Sequence, residues 1–180
     1  FTTATDSYNV AVGFEAGHSV TTGVKNTLIG GLAGDSLTEG DDNIALGYNA
    51  LSTEDTGSKS IAIGFEALKT QNNAASNYNV AIGHAAGTAV TTGINNTLIG
   101  GLAGDALTDA DLNVAVGRNA LTADTLGSKS TAIGTGALGV QNFTTATDTL
   151  NTAVGYDAGV AVTTGVQNTI GGALAGDALT

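Results

Sequence analysis

Hydrophobic residues along this chain fall in short blocks, each preceded by Asn or Ser and followed by Gly, in the approximate pattern Asn/Ser-x-Ala-aliphatic-Gly-x-x-Ala. Seven of the nine intervals between the ten copies are 17 residues, and the other two are 19 and 21. The copies begin at Asn9, Asn26, Asn43, Ser60, Asn79, Asn96, Asn113, Ser130, Asn151 and Asn168. A period this short matches one coil of a β-solenoid and is too short for a helical hairpin or a propeller blade. The pattern predicts an all-β fold, a parallel β-solenoid of ten coils, as a single array over residues 1–180.

The residues within one coil predict a short strand followed by a tight turn. We number each coil from its Asn or Ser, which is position zero. Positions one to three alternate as a strand does. Position three is aliphatic in nine copies and is expected to fill the coil interior, whereas position two, Ala in seven copies, is expected to make a tight contact with a neighbouring chain or layer. The invariant Gly at position four predicts a turn that a Cβ would obstruct. The invariant Ala at position seven predicts a site with no room for a larger side chain. Stacked Asn at position zero predicts a ladder of amide hydrogen bonds.

The β-branched runs at positions nine to twelve, such as 19–22, 89–92 and 161–164, predict a second strand in each coil. The coils also come in sets of four: two with Gly at position eight, then two with Leu. The long coil is the fourth of its set, and its extra residues fall within 69–78 and 139–150. Because insertions in a solenoid map to loops on one side, these segments are expected outside the core, and trimming 141–150 is expected to leave stability nearly unchanged.

Composition narrows the function classes. The chain has 27 glycines, no Pro, Cys, Met or Trp, and 4% aromatic residues, which suits the thin, uniform core of a solenoid better than a compact globule. A net charge of −11 disfavours nucleic acid as a partner. No apolar run approaches the ~20 residues that span a bilayer, so membrane insertion of this segment is not expected. Residues 1–6 recur as 143–148, so the chain opens within a repeat and is expected to be a fragment of a longer fibre protein.

Two coil motifs carry a family resemblance. Asn79-Val-Ala-Ile-Gly-His-Ala-Ala and Ser60-Ile-Ala-Ile-Gly-Phe-Glu-Ala resemble the repeat of the YadA-like trimeric autotransporter adhesin head. The runs Asn151-Thr-Ala-Val-Gly-Tyr and Asn113-Val-Ala-Val-Gly-Arg-Asn-Ala-Leu are similar to repeats of phage tail-fibre and virion structural proteins. The resemblance implies a left-handed parallel β-roll that assembles as a homotrimer, with inner strands packed about the threefold axis. The family coil is usually shorter than the 17 residues found here.

Candidate binding residues are few. Phe14, Tyr48, Phe65 and Tyr156 share position five and are expected to line one outer ridge. Shielding of a coil edge is the favoured interpretation, and stacking of exposed rings on sugars or on a partner fibre is the alternative. Asn142, in the sequence Asn-Phe-Thr, is the better of two glycosylation acceptor patterns, the other being at Asn95.

Metal and catalytic chemistry are not expected. The segments 30–37 and 100–107 nearly match a calcium-binding nonapeptide, but a third copy at 171–179 shifts the Asp by one residue. A glycine-rich turn with a solvated Asp is the preferred interpretation. The acidic clusters at 39–42, 54–55 and 109–111 are likewise expected to be solvated turn carboxylates. No nucleophile, base and orienting group stand at a plausible spacing. The sequence therefore predicts no enzyme, no cofactor and no metal.

The leading hypothesis is a non-enzymatic structural segment of an extracellular trimeric fibre, first of all a phage tail fibre or similar virion appendage. Its partners would be itself, as a homotrimer, and surface glycans or a host receptor. A bacterial cell-surface adhesin head that binds a host or matrix ligand, and a self-assembling extracellular filament, are the alternatives.

Overall fold

The computed structural model describes residues 6–180. These residues contain short β-strands and no helix. The described part of the chain therefore has no helix long and apolar enough to cross a membrane. Residues 1–5, most of the first copy of the repeated 1–6 segment, lie outside the described residues. The strands are β1 Val10–Val12, β2 Thr27–Ile29, β3 Ile44–Leu46, β4 Ile61–Ile63, β5 Val80–Ile82, β6 Thr97–Ile99, β7 Val114–Val116, β8 Gly127–Ser128, β9 Thr131–Ile133, β10 Thr147–Asp148, β11 Thr152–Val154 and β12 Thr169–Gly171.

Ten of these strands form one parallel sheet in chain order, and each comes from the hydrophobic block of one coil. Equivalent positions pair: Ala45 lies opposite Ala62, one coil later. The long coils keep this register, because Ala62 pairs with Ala81 and Ala132 pairs with Ala153. The predicted parallel β-solenoid of about ten coils is confirmed. Strands β8 and β10 form a separate small parallel pair that the sequence did not predict.

The two faces of each strand are the reverse of the prediction. Position two points into the coil, so Ala45, Ala62 and Ala115 have no exposed surface. Position three points outward, where Val12 is 57% exposed and Val154 is 45% exposed. The reason is the narrowness of the coil: in the coils of Ala45, Ala62 and Ala115, a fully buried leucine at position eight of the facing wall already fills the interior, so the strand centre contributes a small residue. Position two therefore does not face a neighbouring chain.

The second and third coils of the four-coil set fill their interiors in two different ways. In the second coil, Leu28 occupies position two, and a Cβ added to Gly34 at position eight would lie 2.8 Å from its Cδ2. In the third coil the sizes are exchanged: Ala45 is at position two and the fully buried Leu51 at position eight. Because cores are close-packed, each large side chain requires a small one facing it. The first coil of each set has small residues at both positions, as at Ala81 and Gly87, because leucines of the adjacent coils reach into it: a Cβ added to Gly87 would lie 2.7 Å from Cδ1 of Leu98.

The invariant small residues have the predicted roles. Gly100 at position four has a φ of +133°, and a Cβ there would lie 2.6 Å from the backbone of Gly117 in the next coil. Such a conformation favours glycine even without the collision. Ala at position seven has no exposed surface in coils two to nine, as at Ala33 and Ala120.

Position zero carries the predicted ladder, with backbone groups as its main partners. Oδ1 of Asn26 accepts the backbone N–H of Asn43 at 2.9 Å, and Nδ2 of Asn26 donates to the carbonyl oxygen of Gly40 at 2.8 Å. Direct amide–amide contact occurs between Asn96 Nδ2 and Asn79 Oδ1 at 3.3 Å. The side chain thus joins two walls of one coil and, at the same time, the next coil along the axis.

The predicted second strand is wrong: residues 19–22, 89–92 and 161–164 form turns and bends. The backbone N–H groups of Thr21, Thr22 and Gly23 all donate to the carbonyl oxygen of Thr38, at 3.0, 3.2 and 3.1 Å. Donors that converge on one acceptor cannot form the evenly spaced bonds of a parallel ladder. The β-branched sequence is therefore overridden by this turn.

The prediction that the extra residues of the long coils lie outside the core is also wrong. Gln141 and Thr149 are buried, and Phe143 is 7% exposed. The backbone N–H of Phe143 donates to Oδ1 of Asp124 at 3.0 Å, so the insertion supplies a donor to a carboxylate of the preceding coil. Residues 144–146 form a continuous exposed tip.

Candidate functional site

The outer face of the ten-stranded sheet is an uncharged strip that runs along the array. Positions one and three of every coil hold Val, Ile, Leu, Thr or, once, Gly. Exposed aliphatic side chains on this strip are Val10, Val12, Ile44, Leu46, Ile133 and Val154. Parallel sheets almost always have both faces covered, and here the coil interior covers only one. A contiguous exposed apolar strip of this kind is typical of an interaction surface.

Position five forms an outer column beside this strip, as predicted, but only part of it is a continuous ridge. The rings of Tyr48 and Phe65 stack with centroids 5.8 Å apart and an interplanar angle of 18°. Phe65 and His84 stack at 5.1 Å and 11°. Phe14 is 74% exposed, and Gly31 separates its level from that of Tyr48. Tyr156 lies farther along, beyond Gly101, Arg118 and Thr135 at the same position. His84, which sequence reasoning left as an ordinary surface residue, belongs to the stack.

Charged neighbours adjust the ionisation of groups along this edge. Nζ of Lys69 lies 2.7 Å from Oε1 of Glu66, and this hydrogen bond holds the pKa of Glu66 below its usual value. The carboxylate of Asp157 raises the pKa of Tyr156 because it favours the protonated phenol as a hydrogen-bond donor. Neither group lies in an enclosed site, and the described part of the chain contains no enclosed pocket.

A second outer column runs along position minus one, on the other side of the strip. Three of the five basic residues, Lys25, Lys59 and Lys129, lie in it. Nζ of Lys59 lies 5.1 Å from the ring centroid of Tyr78 and 3.2 Å from its hydroxyl oxygen, and the hydrogen bond lowers the pKa of that phenol. Lys129 pairs with Asp148 at 2.5 Å. The strip thus lies between a column with four Phe or Tyr residues at position five and a column with three lysines at position minus one.

The glycosylation candidates are both accessible. Asn142 and Asn95 have exposed side chains. Oδ1 of Asn142 lies 3.3 Å from the hydroxyl of Thr125, and its neighbour Phe143 is buried. Modification of either asparagine remains a prediction.

The glycine-rich turns place their aspartates at the coil corner rather than around a common centre. Burial raises the pKa of Asp35, and its Oδ1 is buried without a hydrogen-bond partner among the described residues. The equivalent Asp105 accepts a hydrogen bond from Thr122 at 2.5 Å. The expectation of a solvated aspartate therefore holds only in part for Asp35, which is half-buried. Within residues 6–180, no group of three or more His, Cys, Asp or Glu side chains is arranged to hold a metal ion.

The acidic clusters are structural to a greater extent than predicted. Oδ1 of Asp41 accepts the backbone N–H of Val24 at 2.8 Å, and Asp111 accepts that of Ile94 at 2.7 Å. Glu54 has no exposed surface, so its assignment as a solvated turn carboxylate is wrong. It is buried because its side chain lies at position eleven, which points into the coil.

Sequence reasoning missed a buried polar cluster at each long coil. Glu54 accepts hydrogen bonds from Gly57 N–H at 2.8 Å, from Gln71 Nε2 at 2.9 Å and from Asn77 Nδ2 at 3.0 Å. Nε2 of Gln71 also lies 2.8 Å from Oγ of Ser60. The second cluster repeats this arrangement with Asp124, Gln141 and Ser130. The signal was present in the sequence: position eleven is acidic in both third coils and Gln in both fourth coils.

Comparisons with protein-family models, curated proteins and solved structures found no match to this chain. The architecture, the exposed strip and the aromatic column therefore carry the functional argument.

Proposed function

We propose that this chain is a non-enzymatic structural segment of an extracellular fibre, in which copies of the chain associate through the exposed strip. The observation that carries the proposal is the combination of an unbroken parallel stack with an aliphatic outer sheet face. A stack of coils gives length and stiffness along one axis. An uncovered apolar sheet face gives a reason for several such rods to lie side by side.

A second copy of the chain is the partner that fits the strip best. The strip carries no charge, so two copies can approach there although each has a net charge of −11. The spacing of coils is also identical in two copies, so side chains at positions one and three match level by level along the whole contact. About a symmetry axis parallel to the rods, this matching closes into a cyclic homo-oligomer, the usual form of soluble assemblies.

The resemblance to YadA-like head repeats and to phage tail-fibre repeats supports a homotrimer and an extracellular location, as a virion appendage. Because Ala45, Ala81 and Ala115 point into the coil, they cannot form the contact between chains that the sequence predicted. The proposed interface lies on the aliphatic residues of positions one and three rather than on these alanines.

A bacterial surface adhesin is the second candidate, and the stacked rings of Tyr48, Phe65 and His84 favour it. Exposed aromatic rings offer surfaces for glycans or for a protein receptor. In that case the same trimeric rod would itself bind the host or matrix ligand. A self-assembling filament remains the third candidate, since the parallel coils could continue end to end.

Immunogold electron microscopy on the native particle or cell tests the proposal. Antibodies against residues 6–180 should label thin projections: on virions for a tail fibre, on the cell envelope for an adhesin, and along free filaments for the third candidate. Labelling confined to the cell interior would contradict an extracellular fibre.

A further inference from the structure

The column of side chains at position five has one open level beside the aromatic stack. The stack of Tyr48, Phe65 and His84 ends at Gly101, and Arg118 follows one coil later with an exposed side chain. A Cβ added to Gly101 would meet nothing nearer than the carbonyl oxygen of His84 at 4.0 Å. Gly31, at the other end of the stack, differs: the Tyr48 ring lies 3.4 Å from its Cβ position and already covers it.

The open level has the thickness of one ring. Adjacent parallel strands lie about 4.8 Å apart, so the levels of His84 and Arg118 are separated by about 9.6 Å. A ring midway would lie about 4.8 Å from each. This spacing is close to the 5.1 Å between the Phe65 and His84 rings. A bound ring would therefore extend the stack by one step.

The surroundings of this level favour a negative group. Positions five and six of coils five to seven are His84, Ala85, Gly101, Leu102, Arg118 and Asn119, none of them acidic. Within residues 6–180, the guanidinium of Arg118 forms no ion pair. The backbone N–H of Gly101 likewise donates to no acceptor in the described part of the chain. Glu66, one coil away on the other side of His84, is paired with Lys69 at 2.7 Å. The level of Gly101 therefore has two unused kinds of donor beside it and no acidic residue at positions five and six of its own or the two adjoining coils.

We propose that the slot between His84 and Arg118, above Gly101, binds a ring that bears a carboxylate. The face of the ring would stack on the imidazole of His84. The carboxylate would take two parallel hydrogen bonds from the Arg118 guanidinium, the geometry for which that group is suited. Uronic-acid sugars and aromatic acids share this chemistry. The site does not depend on the proposed fibre function.

Titration of the intact chain, in the oligomeric state in which it is isolated, tests the site. The probes are methyl glucuronoside and 4-hydroxybenzoate, with methyl glucoside and phenol as uncharged counterparts. We expect saturable shifts of the His84 imidazole and Arg118 Nε–H NMR signals with at least one acid, with a Kd of about 1 mM. The acid that binds more tightly identifies the source of the ligand. No saturation by about 20 mM, or equal binding of the uncharged counterpart, would overturn the proposal.

Two variants locate the site. Arg118→Gln should weaken binding about tenfold or more, because it removes the charge-assisted pair. Gly101→Tyr should abolish binding by filling the open level, and position five already accommodates Tyr48 and Tyr156. Ala173→Tyr adds the same ring at position five in the last coil and should bind as the unmodified chain does. Unchanged affinity in Gly101→Tyr would show that the ligand lies elsewhere and refute the assignment.

Discussion

Nε2 of Gln71 lies 2.8 Å from Oγ of Ser60, and this contact replaces an amide that the fourth coil lacks. Ser60 occupies position zero, where the other coils of its set have Asn, and its side chain is too short to span the coil. Oε1 of Gln71 then accepts Nδ2 of Asn79 at 2.8 Å, which connects the ladder to the next coil. The long coil thus preserves the ladder with a residue from a different position.

Replacement of this glutamine should be costly. Gln71→Leu leaves Oε2 of the buried Glu54 with one donor fewer and removes the acceptor for Asn79. Loss of a partner for buried polar groups costs about 2–3 kcal/mol. We expect a decrease of this size in the free energy of unfolding, measured by urea denaturation. Gln167→Leu is the matched control, because Gln167 is exposed and should change stability by less than about 0.5 kcal/mol. Equal effects of the two variants would show that the cluster contributes little.

The insertion in the eighth coil should prove to be part of the core. Phe143→Ala removes a ring that is 7% exposed and should destabilise the array by about 3 kcal/mol. Thr145→Ala, at the exposed tip, should be neutral within about 0.5 kcal/mol. Thermal unfolding followed by circular dichroism compares the two. For the same reason, shortening the 141–150 segment should lower the melting temperature of the fold. An unchanged melting temperature would show that the insertion does not contribute to the core.

Neighbouring glycines should differ sharply in their tolerance of substitution. Gly100→Ala combines a φ of +133° with a Cβ that would lie 2.6 Å from the backbone of Gly117. Strain and collision together should cost about 3 kcal/mol or more. At Gly101 the nearest atom lies 4.0 Å from the added Cβ, so Gly101→Ala should be nearly neutral. Amide hydrogen exchange across coils five to seven measures both, and similar exchange rates in the two variants would contradict the turn geometry.

The alternation of large and small side chains inside the coils predicts that a second substitution can restore the stability lost through a first one. Ala115→Leu places a large residue beside the buried Leu121 and should cost about 1–3 kcal/mol through overpacking. A second substitution, Leu121→Gly, recreates the pairing of Leu98 with Gly104 one coil earlier. It should recover at least about 1 kcal/mol, which a double-mutant cycle of unfolding free energies measures. An additive cycle would show that the two positions do not share one volume.

The sequence was sufficient to predict what is repeated in every coil. The period set the parallel register, and the invariant Gly and Ala at positions four and seven predicted the close approach of successive coils. Asn at position zero predicted the ladder. These features follow from local residue choice repeated ten times, so a single coil already contains the information.

The orientation of the strand could not be predicted in this way. Alternation identifies two faces but not which one is inside, since both aliphatic and alanine faces suit burial. The interior is decided by Leu51 and Leu68 on the facing wall, whose inward direction depends on left-handed residues in the turn. The buried Glu54 was missed for a related reason: an acidic residue beside a turn is usually solvated, and its five donors come partly from a coil 17 or more residues away.

The exposed strip provides the variants for a test of assembly. Ile82 lies at position three of the fifth coil, on the outward side of β5. Ile82→Glu should leave the coil folded and disrupt association, because a carboxylate would be buried in an uncharged interface. Asn72→Glu adds the same charge at an exposed position off the strip and should assemble normally.

Molar mass by multi-angle light scattering is the most direct test of the central claim. The unmodified chain should give 52.5 kDa, three times its mass of 17.5 kDa, while Ile82→Glu should give 17.5 kDa. A mass of 17.5 kDa for the unmodified chain at micromolar concentration, or a trimer that persists in Ile82→Glu, would contradict assembly of the fibre through the aliphatic strand face.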